Sequence, residues 1–237
     1  QVDVLMTVPS VAYKVYQRHQ PEATIVRSPS AMPDPATIDI IEEPTMHIRV
    51  VVPSTYIGAV MQATQDRRGV FVALDYIEHD RAVLSFTMPL ASMIVDYYDT
   101  LKSATSGFAS LNYEPGDYQL AEVQRMDILV AGEMVEPLST IVYTDSSYRV
   151  GREIVESLKK VLPRQMFEVK IQAALGSKII ASEHLPAMRK DVTAGLYGGD
   201  VTRKRKVLEK QKRGKAKMKA LGKVDIPQSA FLAVLKR

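Results

Sequence analysis

Apolar and polar positions change period several times along the chain, and each change predicts an element. Residues 46–52, MHIRVVV, alternate as a strand. Pro53 and Ser54 open a helix with Ile57, Val60 and Met61 at helical spacing, and the pattern fades at Arg67-Arg68-Gly69. Residues 70–76 (VFVALDY) and 82–88 (AVLSFTM) read as strands joined by a charged turn, Glu78-His79-Asp80. Pro89 starts a second helix in which Leu90, Met93, Ile94, Tyr97 and Leu101 make one continuous stripe, with Gly107 after its end. Residues 108–113 (FASLNY) close with a strand. The order β-α-β-β-α-β is that of a ferredoxin-like unit, two helices on one face of a four-stranded sheet.

The flanks carry weaker patterns. Residues 2–16 read as strand, break at Pro9-Ser10, strand; residues 18–44, with Pro at 21, 29, 33, 35 and 44, read as a linker holding one short strand. Beyond Glu114-Pro115-Gly116, residues 123–130 and 134–143 predict a hairpin across Gly132-Glu133. Ser146 or Ser147 is placed to cap a helix bearing Val150, Ile154, Val155, Leu158 and Leu162, which Pro163 ends. Strands are expected at 166–174 and 178–182, then a short helical piece around 184–192. In the last stretch Pro227 suits the first turn of a short helix with Phe231, Val234 and Leu235 on one stripe. The fold class is therefore α+β: a ferredoxin-like domain followed by a mixed α/β C-terminal domain with a basic helical tail.

Charge changes this picture. The chain of 237 residues has a net charge of +4, yet Arg203–Lys223 alone holds 11 Lys or Arg against one acid, Glu209. That segment is +10 and the remainder −6. From Val201 a helix of about three turns is expected. Asp200 sits at its N-cap position, the apolar positions are sparse, and Gly214 interrupts it at a cost of about 1 kcal/mol relative to Ala. Like charges one turn apart repel, so a polyanion is expected to order the segment by neutralising it. This cation density is too one-sided for an ordinary solvated helix face, and the segment lacks the bulky apolar face of an interfacial membrane helix. The candidate phosphate-binding residues are Arg203, Lys204, Arg205, Lys206, Lys210, Lys212, Arg213, Lys215, Lys217, Lys219 and Lys223. Tyr197, preceding Gly198-Gly199, is a candidate for stacking on a base or sugar, and surface packing explains it as well. Arg164, in Pro163-Arg164-Gln165, is a further phosphate candidate, no better than a solvated residue on its own. Ser106-Gly107, within Ser103–Phe108, is a loop small enough to approach a phosphate backbone, although a helix C-cap explains it better.

Other chemistry is excluded or unsupported. There is no Cys, hence no disulfide or thiolate metal site. His19, His47, His79 and His184 fall in no metal-ligand spacing, and no metal is expected. Asp75, Glu78 and Asp80 read as a solvated hairpin rather than an acid–base pair. No G-x-x-x-x-G-K-[ST] loop occurs; Gly214-Lys215 lacks the earlier Gly and the following hydroxyl, so no nucleotide cofactor and no catalytic residue are expected. The N-terminus shows no signal-peptide layout and no initiator Met and begins inside a strand, which leads us to expect a missing upstream part.

The tail YGGDVTRKRKVLEKQKRGKAKMKALGKVDIPQSAFLAVL, with LPRQMFEVKIQAALGSKIIA and TLKSATSGFASLNYEPGDY, resembles the C-terminal part of the LepA (elongation factor 4) family of translational GTPases, and the resemblance runs over essentially the whole chain. It implies that residues 1–41 are the end of a third domain and a connector. Residues 42–120 become domain five, as in elongation factor G, residues 121–195 the family-specific domain, and 196–237 the basic RNA-binding tail. It implies ribosome binding: large-subunit rRNA and A-site tRNA for the tail, with Arg164 joining it, and the stalk base for domain five through Ser106, Gly107 and the helix beginning at Ser54. It further implies GTP-dependent back-translocation or rescue of stalled ribosomes in the parent protein. GTP and Mg would bind an upstream domain absent here. A monomeric, cytoplasmic protein is expected; family members also associate peripherally with the inner membrane or occur in organelles. Two readings compete: a general RNA- or DNA-binding module, and a small ferredoxin-fold enzyme of acylphosphatase type, whose first loop Val52-Pro53-Ser54-Thr55-Tyr56 does not match.

Overall fold

Two compact units divide the chain near residue 123. The computed structural model describes residues 10–18, 20–78, 80–188, 192–193, 201–221 and 224–235. In the first unit β1 (Tyr13–Gln17) and β2 (Gln20–Val26) form an antiparallel hairpin, and β1 also pairs with the start of the long β3 (Ile38–Pro53). A 3-10 turn at Ser54–Tyr56 leads into α1 (Ile57–Gln65). The strands β4 (Val70–Glu78) and β5 (Arg81–Pro89) follow, then α2 (Leu90–Met93), α3 (Tyr97–Ala104) and β6 (Ser110–Leu120). β3 lies between β6 and β5, and β4 flanks β5, all antiparallel. This is the ferredoxin-like order expected from the β-α-β-β-α-β pattern.

Alternation places the core. Met46, Ile48, Val50 and Val52 of β3 and Ala82, Leu84, Phe86 and Met88 of β5 are buried on the helix side, against Val60, Tyr97 and Leu101. The opposite face is polar, with His47 bonded to Thr87 and Arg49 paired with Glu114. The helices are clamped by a buried bond: Thr64 Oγ1 donates to the Val60 carbonyl and lies 2.9 Å from the Tyr97 hydroxyl. Burial holds the Tyr97 phenol above its ordinary pKa. β4 is an edge strand with Val70, Val72, Tyr76 and Ile77 exposed, and two register shifts, between Phe71 and Ala73 and between Tyr76 and Glu78, interrupt its flat edge.

Three expectations are corrected here. Residues 18–44 are not a linker with one strand; they hold β2 and the first part of β3. The prolines are accommodated because Pro21 lies on an edge strand and Pro44 at the register shift between β3 and β6. The Leu90–Leu101 stripe is not one helix. It breaks at Ile94–Asp96, where Asp96 takes φ 53°. Arg67 holds the break by donating to the Val95 carbonyl and, at 2.9 Å, to Thr100 Oγ1, which leaves Ile94 exposed. The helix expected from Ser54 starts properly at Ile57, after the 3-10 turn.

The second unit is built on β7 (Val123–Val130), β8 (Glu133–Met134), β9 (Thr140–Tyr143), α4 (Ser147–Val161), β10 (Val169–Leu175), β11 (Lys178–Leu185), α5 (Val201–Leu221) and α6 (Gln228–Leu235). Its sheet runs β11-β10-β7-β8, with β9 also on β7. The expected second hairpin strand is split by a 3-10 turn at Glu136–Leu138, the Pro137 site. The expected short helix around 184–192 is overturned where it can be described: β11 continues through Leu185 because its alternation keeps Leu185 buried, and 186–188 are irregular. Ser146 and Ser147 do begin α4, but neither caps it; their hydroxyls donate backward to the Tyr143 and Thr144 carbonyls.

α4 lies directly on the sheet. Ile154, Val155 and Leu158 are buried against Met126, Ile128, Ile171 and Ala173. α6 returns onto α4, with Ala230 and Val234 buried and Phe231 partly so; Phe231 and Val234 thus pack as the stripe predicted, and Ala230 joins them. Contact between α4 and the sheet depends on Gly151, where a Cβ would sit 3.0 Å from Ile180 Cδ1, 3.2 Å from Ala173 Cβ and 3.3 Å from Met126 Sδ. Gly151→Val is therefore expected to overpack this contact and destabilise the protein by about 1–3 kcal/mol. Thermal unfolding read at this unit checks it; an unchanged midpoint would show that α4 can lift off the sheet without cost.

Candidate nucleic-acid interface

Charge separates between the units. Residues 10–123 hold 8 Lys or Arg against 14 Asp or Glu, whereas residues 124–237 hold 23 against 12. The excess of positive charge therefore lies in the second unit.

Within that unit the cations of α4 are largely answered locally. Arg149 pairs with Glu153 and Arg152 with Glu156, each one turn apart. Lys159 pairs across to Glu183 of β11 at 2.7 Å. The hydrogen bond from Lys159, and then its charge, hold the Glu183 carboxyl below its ordinary pKa. Lys160, in the last turn of α4, and Arg164 just beyond it are exposed, beside a shallow cleft also lined by Leu162, Leu185 and Pro186.

Helix α5 holds most of the candidates. It runs 21 residues without a break, so the expectation of about three turns interrupted at Gly214 is corrected. The sequence is dense in good helix formers, Lys, Arg, Gln, Leu, Met and Ala, and their summed propensity outweighs one glycine. Cations in the last turns also favour the helix dipole, while those from Arg203 to Lys206 oppose it. Arg205 and Glu209 pair one turn apart on α5, at 3.4 Å and exposed. Gly214-Lys215 lie inside this helix, where the amide N–H groups point to carbonyls one turn back, so they do not form a phosphate-cradling loop.

The candidates do not share one environment. Arg203, Arg205, Lys206, Lys210, Lys212 and Arg213 are exposed, while Lys204 and Lys215 are half-buried with Val207 and Gln211. Lys215 Nζ donates to the Met188 carbonyl at 2.8 Å, and the Met188 N–H donates to the Gln165 carbonyl at 2.8 Å. This chain of two bonds ties α5 to the loop carrying Arg164, an association that sequence spacing gave no means of finding. Lys217 and Lys219 fall on the last turns of α5. Tyr197, Gly198, Gly199 and Lys223 lie outside the described residues.

In the first unit, Ser106 and Gly107 sit in the turn that ends α3, with φ 50° and 85°. The Gly107 N–H returns to the Lys102 carbonyl, which is the helix C-cap favoured by the sequence. Phe108, 63 % exposed, stacks on Tyr56 of the 3-10 turn with ring centroids 5.9 Å apart. The turn and the segment after Ser54 thus share one end of this unit.

Two measurements check these features. A Cβ at Gly214 would meet nothing within 4 Å, so Gly214→Ala is expected to stabilise α5 by about 1 kcal/mol and raise helical circular dichroism. A loss of helicity would mean that the helix relies on glycine for a bend. Because the folded pKa of Glu183 is lowered, its ion pair contributes above the ordinary glutamate range and is lost as pH falls through the folded value. The melting difference between the wild type and Glu183→Gln should accordingly be largest at neutral pH and shrink on acidification; a constant difference from neutral to strongly acid conditions would contradict the pairing.

Known proteins match both units. Residues 130–236 match the family described as GTP-binding protein LepA C-terminus, and residues 40–129 match elongation factor G C-terminus. The chain is 50% identical over 236 residues to Elongation factor 4 of Bacillus cytotoxicus, which covers 100% of this chain and 39% of that protein. It is 52% identical over 234 residues to Elongation factor 4 of Phytoplasma australiense, covering 99% of this chain and 38% of that protein. It is also 49% identical over 235 residues to the chloroplastic translation factor GUF1 homolog of Arabidopsis thaliana, covering 99% of this chain and 34% of that protein. The chain thus spans well under half the length of these curated relatives. With an elongation factor G C-terminal domain followed by a LepA C-terminal domain, it belongs to the LepA, or elongation factor 4, family of translation factors.

Proposed function

We propose that this chain binds the ribosome as the C-terminal region of a translation factor, with α5 and the loop at Arg164 engaging large-subunit rRNA and A-site tRNA. The observation that carries the reading is the exposed cationic surface of α5 in a unit that holds 23 basic against 12 acidic residues. Neutralising phosphates releases condensed counterions, which supplies the affinity. In this reading the turn at Ser106-Gly107 and the Tyr56–Phe108 stack contact the stalk base, and the parent protein works in the cytoplasm as a monomer. GTP and Mg act in an upstream domain of the parent, and the chain itself carries out no catalysis. Coupled to that domain, it supports back-translocation or rescue of stalled ribosomes.

A general nucleic-acid module would bind duplex of any sequence equally well. The test is filter binding of the chain to large ribosomal subunits and to tRNA, with random-sequence duplex as competitor. For about six phosphate contacts the log–log salt slope should be roughly −5. Replacing Arg203, Lys204, Arg205 and Lys206 together with Ala should weaken binding at least tenfold, because lost phosphate contacts are steeply felt at low salt. Unchanged affinity overturns the role of α5, and full competition by random duplex overturns the ribosomal address.

A further inference from the structure

We infer that α5 divides its cations between two faces with different tasks: Lys206, Lys210 and Arg213 form the phosphate-binding line, and Lys204 and Lys215 seat the helix on its domain. The inference rests on the nucleic-acid reading above and names the residues of that site.

The division follows from helix geometry and burial together. Successive residues turn by about 100°, so positions separated by three, four and seven lie on one side. Lys204, Val207, Gln211 and Lys215 are spaced by three, four and four residues, and all four are half-buried. They define the inward side. Lys206, Lys210 and Arg213 are spaced by four and three, and all three are exposed on a different side. At about 1.5 Å rise per residue the line covers roughly 10 Å along the axis, two turns of helix. A row of cations of that length is matched by a strand of phosphates running beside the helix, not by one isolated anion.

Lys215, on the inward side, already has a partner. Lys215 spends its ammonium on the Met188 carbonyl, and Met188 is itself held by the Gln165 carbonyl. A phosphate that recruited Lys215 would have to break this tie. The outward line has no such tie to break, since among the described residues no carboxylate lies within ion-pair distance of Lys206, Lys210 or Arg213. Glu209, the one acid of the helix, pairs instead with Arg205.

The division is tested on the whole 237-residue chain with a tRNA transcript as probe, by anisotropy across a salt series. The variants are the triple Lys206→Gln, Lys210→Gln, Arg213→Gln and the double Lys204→Gln, Lys215→Gln. Gln is a good helix former, and circular dichroism verifies that α5 persists. The triple should flatten the log–log slope by about 2 to 3, the share of three phosphate contacts. The double should keep the wild-type slope and instead speed amide exchange in α5. Equal flattening by both variants, or greater flattening by the double, overturns the division while leaving RNA binding by α5 intact. A wild-type chain with no salt-dependent binding overturns the nucleic-acid reading itself, and the division with it.

Discussion

Mutual repulsion among the cations of α5 is the constraint to which the second unit is fitted. One helix of 21 residues carries 10 of the chain's 31 Lys and Arg residues, and adjacent turns place like charges beside each other. Three things offset this. The residue types are strong helix formers, the C-terminal cations complement the helix dipole, and the chain from Lys215 through Met188 to Gln165 holds the helix against its own domain. The carboxylates of α4 and β11 are engaged elsewhere: Glu153, Glu156 and Glu183 pair with Arg149, Arg152 and Lys159. Those pairs are exposed and individually weak, yet together they keep the acids of α4 and β11 from competing with an external polyanion.

The first unit solves a different problem. Its net charge is negative, and it presents few cations through which phosphates could be held. The features at the end of α3 are aromatic and hydroxyl-bearing instead: Tyr56 stacked on Phe108, with Ser106 and a left-handed Gly107 beside them. Aromatic faces contribute to nucleic-acid contact without long-range attraction. The two units therefore present distinct chemistries, one dominated by exposed cations and one by an aromatic stack beside a hydroxyl-bearing turn.

Much of the fold was legible because its period is strong. Alternation in β3 and β5 located the buried face, and the order of elements gave the ferredoxin-like unit. What failed depended on residues distant in sequence. Asp96 adopts a left-handed conformation because Arg67, nearly thirty residues earlier, fills the helix break, and no local pattern reports that. The prolines of 18–44 suggested a linker, since proline density does not say whether each falls on an edge or a bulge; here Pro21 and Pro44 do. In the candidate interface, composition revealed which residues carry charge. It could not separate Lys204 and Lys215 from Lys206, Lys210 and Arg213, because burial and not residue type distinguishes them.

The same distinction explains why the helix tolerates Gly214. A glycine weakens the helix at a point with no neighbour within 4 Å, next to Lys215, which ties the helix to Met188. The anchor at Lys215 acts where intrinsic propensity is lowest, and the strong formers act where no anchor is drawn. If the tie and the glycine were placed apart, the helix would be weak at one site and over-held at another. Adjacent, they leave α5 continuous across its weakest residue, with Lys206, Lys210 and Arg213 kept on one line along its exposed side.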